Sequence, residues 1–366
     1  MYKETEKDMS ETKNALIAMS GGVDSAVAAY IMKSRGWNCE GATMLLYRNA
    51  DVGAERLGTC CSQKDIDDAA LVADRLGIPY GVVDMNADFK EKIIEKFIRT
   101  YEEGGTPNPC IDCNRYMKFE RLMESAEEKG FDCVVTGHYA RIESKDGRFL
   151  LKKALDPSKD QSYVLYSLTQ DQLSRVCFPI GELTKKRVRE IASELGFVNA
   201  EKPDSQDICF VPDGDYAAFI ERYTGKSYPE GDYLDTAGNV IGRHKGAIRY
   251  TIGQRKGLGY AAGRPVYVCS KCMENNTVTL GEEEDLFSRE LKASEVNWVS
   301  VPMPDGPIRC KAKTRYRQPE QPATAYPEGD GVRIVFDRPQ RAITVGQSVV
   351  MYDGDLVLGG GVITGA

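Results

Sequence analysis

The string Met19-Ser20-Gly21-Gly22-Val23-Asp24-Ser25 combines residue types that handle phosphate. Two adjacent glycines let the backbone turn tightly with its N–H groups exposed. A helix starting at once adds partial positive charge, so the two make a cradle for a phosphate chain. Ser20 and Ser25 can donate to phosphate oxygens, and Asp24 can hold a divalent cation that neutralises a leaving phosphate. A bare Gly-Gly also serves any tight strand-to-helix turn, but the full string in a strand–loop–helix setting favours the cradle. No Lys stands in the loop, so it is not a Walker loop. A different chemistry is offered by Thr106-Pro107-Asn108-Pro109-Cys110-Ile111-Asp112-Cys113-Asn114 and Lys202-Pro203-Asp204-Ser205-Gln206-Asp207-Ile208-Cys209-Phe210. Both read as Pro-containing loops, where function is readily placed, and a cysteine thiolate is a strong nucleophile near neutral pH.

Elements that position these residues follow from periodicity. Residues 15–19 form a short apolar run ending at the glycines, and 26–35 read as a helix closed by Gly36. Strands are expected at 41–47, 80–85 and 133–136. Helices are expected at 65–76, with Ile66, Ala69, Ala70, Ala73 and Leu76 at helical spacing, at 88–101, and at 184–195 with Thr184 as candidate N-cap. Strands alternating with helices imply βαβ units and a parallel sheet, with a ligand beyond the carboxyl ends of the strands. After about residue 215, Gly and short β-type segments dominate, at 247–252, 266–269 and 278–280. From about 290 strands such as 332–336 and 348–352 recur with turns like Asp353-Gly354, the pattern of a small β-barrel or sandwich.

The chain has 366 residues, which at roughly 100–200 residues per domain means two or three domains. Its 48 Lys+Arg against 55 Asp+Glu give a net charge of −7, which excludes a uniformly basic coat for nucleic acid. Basic residues are nevertheless local. No Asp or Glu lies between Asp235 and Glu274, an interval holding Arg243, His244, Lys245, Arg249, Arg255, Lys256, Arg264 and Lys271. Arg309, Lys311, Lys313, Arg315 and Arg317 alternate, which on a strand puts all five on one face, a row suited to a phosphate backbone or to a solvated edge. No secretory signal pattern opens the chain and no apolar run approaches the ~18 residues of a membrane span, so a soluble, cytoplasmic protein is expected. In a reducing compartment its 11 Cys point to catalysis or metal rather than cross-linking. Cys39, Cys133, Cys177 and Cys310 read as core, and Cys269 and Cys272 as ordinary strand-end residues rather than half of a zinc site. The adjacent Cys60 and Cys61 suit neither a local disulfide nor joint chelation.

The Ser-Gly-Gly-Val-Asp-Ser string resembles the PP-loop of ATP pyrophosphatases, which implies cleavage between the α and β phosphates and adenylation of a substrate. With Thr136-Gly137-His138-Tyr139-Ala140, Lys159-Asp160-Gln161-Ser162 and Tyr250 to Gly259, the two cysteine strings resemble the tRNA-specific 2-thiouridylases over residues 15–361. The resemblance implies a Rossmann-like α/β PP-loop domain with a parallel sheet, a small mainly β central domain and a C-terminal β-barrel, here divided at 1–214, 215–288 and 289–366. It implies ATP and Mg²⁺, a tRNA with wobble uridine U34, and an external sulfur-donor protein. Cys209 would carry a persulfide and Cys113 would attack it, ending as a Cys113–Cys209 disulfide. Nucleotide contacts would come from Ala18, Met19, Ser20, Gly21, Gly22, Val23, Asp24, Ser25, Met44 and Gly137. Contacts to tRNA would come from Asn108, Pro109, Cys110, His138, Lys159, Asp160, Gln161, Arg315, Tyr316 and Gln347. One position departs from the family, where an aspartate, a candidate proton-transfer group, often stands in place of Cys110. With Cys113 and Cys209, Cys110 would complete three ligands for a [4Fe-4S] cluster with one open iron, or it is a spare or resolving thiol. The runner-up is a PP-loop ligase that adenylates a small substrate and transfers ammonia, which would leave both cysteine loops idle.

Overall fold

The computed structural model describes residues 13–48, 63–204 and 208–366; Cys60 and Cys61 lie outside them. A five-stranded parallel sheet leads the chain: β1 Asn14–Ala18, β2 Asn38–Leu45, β3 Tyr80–Asp84, β4 Cys133–Val135 and, after a hairpin, β7 Val176–Cys177, in the order β3-β2-β1-β4-β7. Alternate residues of β1 feed two cores. Leu16 and Ala18 face one, built on helices 86–102 and 109–128. Ala15, Ile17 and Met19 face the other, under helices Val23–Ser34, Gln63–Leu76 and Lys185–Glu194. Burial on both faces explains why this strand is apolar at every position from Ala15 on rather than at every second one.

Three helices match the periodicity closely. Val23–Ser34 starts three residues earlier than expected, because Gly22 in extended conformation is its N-cap. Thr184 caps Lys185–Glu194 through its hydroxyl, which accepts from Arg187 N–H. The 86–102 helix is unbroken but π-wound over Lys90–Glu95.

A hairpin of β5 Ala140–Lys145 and β6 Arg148–Lys153 leaves the first sheet and joins another. That second sheet is a six-stranded antiparallel barrel of β12 Phe287–Asn297, β13 Ile308–Lys313, β14 Gln321–Glu328, β15 Gly331–Arg341, β16 Ser348–Asp353 and β17 Leu356–Gly365, closed by pairing of β12 with β17. Leu356 of β17 pairs with Lys152 of β6. Between them lies a four-stranded sheet ordered β10-β11-β8-β9, from β8 Gly231–Leu234, β9 Val240–His244, β10 Tyr267–Cys272 and β11 Thr277–Gly281.

Three expectations change. The 247–252 segment is not a strand: Ala247–Arg249 is a single 3₁₀ turn, entered through Gly246 at φ +102°. The basic row on β13 ends at Lys313, and Arg315 and Arg317 lie in the turn that follows. Cys110 and Cys113 are not in a loop. Pro109 occupies the first turn of a helix running from 109 to 128, where its missing N–H costs nothing.

Helix 86–102 touches most of the other parts. Phe97 packs edge-on against Phe210 at 5.1 Å and lies 4.9 Å from Tyr101, whose ring stacks on Tyr216 at 4.2 Å. Phe97→Ala should remove about 3–5 kcal/mol of stability. Denaturant titration followed by aromatic fluorescence checks this, and an unchanged midpoint would contradict the packing.

Candidate active site

The crevice lies where strand order reverses, between β1 and β4, at the carboxyl ends of both strands. Ala18 ends β1, and Met19 leaves it with its N–H donating to Ala42 O and its own carbonyl accepting from Thr43 Oγ1 at 2.6 Å. Gly21 then turns at φ +68°, where a Cβ would stand 2.3 Å from Asp65 O, so only glycine fits. Val23, Asp24 and Ser25 form the first helical turn, and the Ser25 hydroxyl accepts from Ser20 N–H and donates to Gly22 O. The Gly21 carbonyl accepts from Asn199 Nδ2 and from Lys202 Nζ at 3.0 Å, and Lys202 also pairs with Asp65 and Asp68.

Gly137 follows β4 and presses on this turn. A Cβ there would lie 2.7 Å from both Asp24 C and Ser25 N. Beside it, Lys185 Nζ donates to both Asp24 oxygens at 2.8 Å and pairs with Asp204 at 2.7 Å, while Tyr139 O–H donates to Asp24 at 2.8 Å. Lys159 pairs with the other Asp204 oxygen at 2.8 Å. Burial pushes the Asp204 carboxyl up, but the ammonium groups of Lys159 and Lys185 more than offset it, leaving a net lowering. Asp24 fits a magnesium ion shared with phosphate, which typically uses one or two carboxylates plus substrate oxygens. By themselves, the described residues hold no group of three or more His, Cys, Asp or Glu able to hold a metal.

His138 is buried, with its ring 5.8 Å from each of Phe119 and Phe178. Lys118 Nζ lies 3.5 Å from Nε2, and Thr136 Oγ1 lies 2.7 Å from Nδ1. An ammonium can only donate, so Nε2 accepts and the ring proton sits on Nδ1. Burial first, then the Lys118 charge, holds this imidazole neutral well below its ordinary pKa. Met44, on β2, is half-buried against the core shared with the cysteines.

Cys113 and Cys209 are both half-buried thiols at the edge of one hydrophobic core, and the residue beside each meets adjacent positions of helix 86–102. Lys96 pairs with Asp112 at 2.7 Å, next to Cys113. Phe97 packs on Phe210, next to Cys209. Burial raises the Asp112 carboxyl against the pull of Lys96. Tyr47 O–H donates to Cys209 O at 2.7 Å. Cys110 is exposed one turn before Cys113. The C-x-x-C spacing puts two thiols on one helix face, but Cys110, Cys113 and Cys209 are not gathered into a metal-holding group.

Several residues tie the loop before Cys110 to its surroundings. Gln347 Nε2 donates to Thr106 O and Pro107 O, just ahead of Asn108 and Pro109. Tyr316 O–H donates to Asp160 O. The Asp160 carboxylate accepts from Ala154 N–H and the Ser162 hydroxyl, and Gln161 exchanges hydrogen bonds with the Tyr139 backbone. Arg315 donates to Ile252 O, Ala342 O and Thr344 Oγ1, spanning the central sheet and the barrel. Of the basic interval, Arg243, Arg249 and Arg264 are paired with Asp232, Glu221 and Glu282. Lys271 is half-buried, and the loss of solvent lowers its pKa to about 8. Lys245, Arg255 and Lys256 are exposed.

Cys39, Cys133 and Cys310 are buried as expected, and Cys177 is half-buried with its sulfur 3.9 Å from that of Cys133. Cys269 occupies an irregularity in the β10–β11 pairing and donates to Tyr267 O, an ordinary strand residue. Lys185, Lys202, Asp204 and Lys118 were not singled out from sequence. Lys202 and Asp204 open the Cys209 string, which was the available signal.

Three family models cover most of the chain: a tRNA methyl transferase HUP domain at residues 13–213, a tRNA methyl transferase PRC-barrel domain at 217–282, and an aminomethyltransferase β-barrel domain at 288–363. The tRNA-specific 2-thiouridylase MnmA of Clostridioides difficile is 51% identical over 358 residues, 97% of this chain and 99% of that one. That of Acetivibrio thermocellus is 50% identical over 96% of this chain and 99% of its own. Among solved structures, a 4-thiouridine synthetase–RNA complex with bound ATP aligns over 58% of this chain and 50% of its own, at 17% identity and a TM-score of 0.35.

The Gly137 contact generates a direct test. Gly137→Ala must push the Asp24–Ser25 peptide aside, and should weaken ATP binding on the order of tenfold to a hundredfold with the circular dichroism spectrum unchanged. Equilibrium binding of ATP measures it, and wild-type affinity in the variant would refute the contact.

Proposed function

The chain belongs to the MnmA tRNA-specific 2-thiouridylase family, and from that membership we propose how its residues carry out ATP-dependent 2-thiolation of the tRNA wobble uridine, U34. The single observation that carries the reading is that Cys113 and Cys209 border one core, with their neighbours Asp112 and Phe210 meeting adjacent residues of one helix, in a chain that also holds the Gly21–Ser25 cradle.

The backbone N–H groups from Gly21 to Ser25 hold the phosphates, with Ala18, Met19, Ser20, Val23, Met44 and Gly137 completing the nucleotide site. Asp24 would hold Mg²⁺ when it is bound, and the ion would supply neutralisation of the phosphate charge, while Lys185 keeps its pair with Asp204. The uridine O2 attacks the α-phosphorus and pyrophosphate leaves with the electron pair of the broken bond. A better leaving group now stands on C2 than the oxide of a uracil. A persulfide on Cys209, loaded by a separate sulfur-donor protein, attacks C2 or delivers sulfide to it, and AMP departs. Cys113 attacks the Cys209 sulfur, which leaves sulfur on the base and a Cys113–Cys209 disulfide that a two-electron reductant must reopen.

An enzyme that works on a base edge must take that base out of the anticodon stack. Asn108, Pro109, Cys110 and His138 line the place for it, and Lys159, Asp160, Gln161, Arg315, Tyr316 and Gln347 lie where the flanking tRNA would run. Lys245, Arg255, Lys256 and Lys311 add exposed positive charge for the phosphate backbone. Residues 1–214 spend the nucleotide in this division of labour, and 215–288 with 289–366 hold the RNA. No helix among the described residues is long and apolar enough to cross a membrane.

Cys209→Ser and Cys113→Ser should each abolish 2-thiouridine while tRNA binding persists, and Asp24→Ala should stop pyrophosphate release upstream. Mass spectrometry of wobble nucleosides after incubation with tRNA, ATP and a sulfur source reads the outcome; thiolation by the Cys209 variant would defeat the mechanism. Iron analysis of anaerobically prepared protein tests the role of Cys110. Full activity without iron is expected, and stoichiometric iron whose removal stops thiolation would instead make Cys110, Cys113 and Cys209 ligands of a [4Fe-4S] cluster.

A further inference from the structure

Lysines crowd the face that carries the crevice, and nearly all are neutralised. Lys92 pairs with Glu120, Lys96 with Asp112, Lys159 with Asp204, Lys185 with Asp24 and Asp204, and Lys202 with Asp65 and Asp68. Lys118 differs. Among the described residues its ammonium has no carboxylate partner, and its one polar contact is the Nε2 of His138 at 3.5 Å. That imidazole is buried and neutral, so it offers a weak acceptor and no charge. A half-buried cation held against a neutral ring is a group prepared for an anion that is not part of the chain.

Two features say where that anion would be. The helix is π-wound from Cys113 to Arg121, and Leu122 N–H donates to Met117 O, five residues back. In such a turn, residues five apart stand to one another roughly as i and i+4 do in an α-helix. Lys118 is five residues after Cys113 and so shares its side of the helix. Its other neighbour, His138, directly follows Gly137, which abuts the Asp24–Ser25 peptide of the phosphate cradle. Lys118 therefore lies between the cradle and the nucleophile. The phosphate that must occupy that position is the one bonded first to the nucleotide and then also to the base.

We propose that Lys118 binds a non-bridging oxygen of the α-phosphate, in bound nucleotide and in the adenylated uridine. The inference rests on the adenylation reading above. While the O2–Pα bond forms and the bond to pyrophosphate breaks, Lys118 opposes charge gathering on the α-phosphoryl oxygens. When the C2–O2 bond later breaks and AMP takes the electron pair, the same ammonium stabilises the leaving phosphate. The neutral His138 leaves the full Lys118 charge available to it.

AMP and adenosine differ by that one phosphate, so their binding to the full chain isolates the contact without tRNA, sulfur donor or turnover. Lys118→Gln should weaken AMP by about tenfold or more and leave adenosine unchanged, and Lys118→Arg should recover most of the loss. Binding of tRNA should be unaffected. Equal losses for AMP and adenosine would mean that Lys118 only shapes the pocket, which overturns the proposal. Unchanged AMP binding with a shallower salt dependence of tRNA affinity would assign Lys118 to an RNA phosphate instead, and also overturns it. Failure of the wild-type chain to form 2-thiouridine would sink the functional reading while leaving the AMP–adenosine comparison interpretable.

Discussion

The close approach of Gly137 to the Asp24–Ser25 peptide is the constraint on which the site depends. It exists because β1 and β4 are neighbours at the reversal of strand order, so their carboxyl ends open into one crevice. A side chain at 137 would hold the two ends apart. With glycine there, the first helical turn at Val23–Ser25 meets the strand end that presents His138. Tyr139 reaches Asp24 because these two strand ends are so near, and Lys185 joins them from the start of its helix.

Helix 86–102 performs the corresponding task for sulfur chemistry. Its Lys96 and Phe97 meet residues next to Cys113 and Cys209, and its final turn engages the central sheet. There Glu102 accepts from Lys226 and from Tyr228 O–H, and Lys271 lies over the Tyr101 ring. Burial strips Lys271 of solvent, lowering it to about 8, and its compensation is a bond to Tyr250 O at 3.0 Å. One helix thus sets the position of both thiols relative to the part of the chain that carries Arg255 and Lys256. Barrel residue Gln347 adds a second hold on the loop before Cys110.

Much of this was legible in the sequence, for physical reasons that also mark where legibility ends. The apolar run at 15–19, the glycines after it and the amphipathic 63–76 helix are local signals, and local signals survive folding. The 109–128 helix was missed because Pro107 and Pro109 read as loop, yet Pro109 sits in the first turn, where proline is tolerated. The row from Arg309 to Arg317 was over-extended because period-2 spacing does not reveal where a strand stops. The ion network of Asp24, Lys185 and Asp204 joins residues up to 180 positions apart in sequence. Spacing has no access to such a contact.

Charge shows the same division between local pattern and folded arrangement. An acidic chain that handles RNA needs its positive residues free where the backbone passes and neutralised elsewhere. Arg243, Arg249 and Arg264 look free in an acid-poor stretch of sequence, yet each finds a carboxylate supplied from outside it. Arg309 is likewise held by both oxygens of Asp337. Exposed pairs of this kind contribute about 0–1 kcal/mol, so their main effect is to cancel positive field where it would attract RNA without order. Within that acid-poor stretch Lys245, Arg255 and Lys256 stay exposed. Selective neutralisation, rather than net charge, can therefore set the path of the tRNA, because an unpaired cation within a Debye length of about 8 Å outweighs a distant excess of carboxylates.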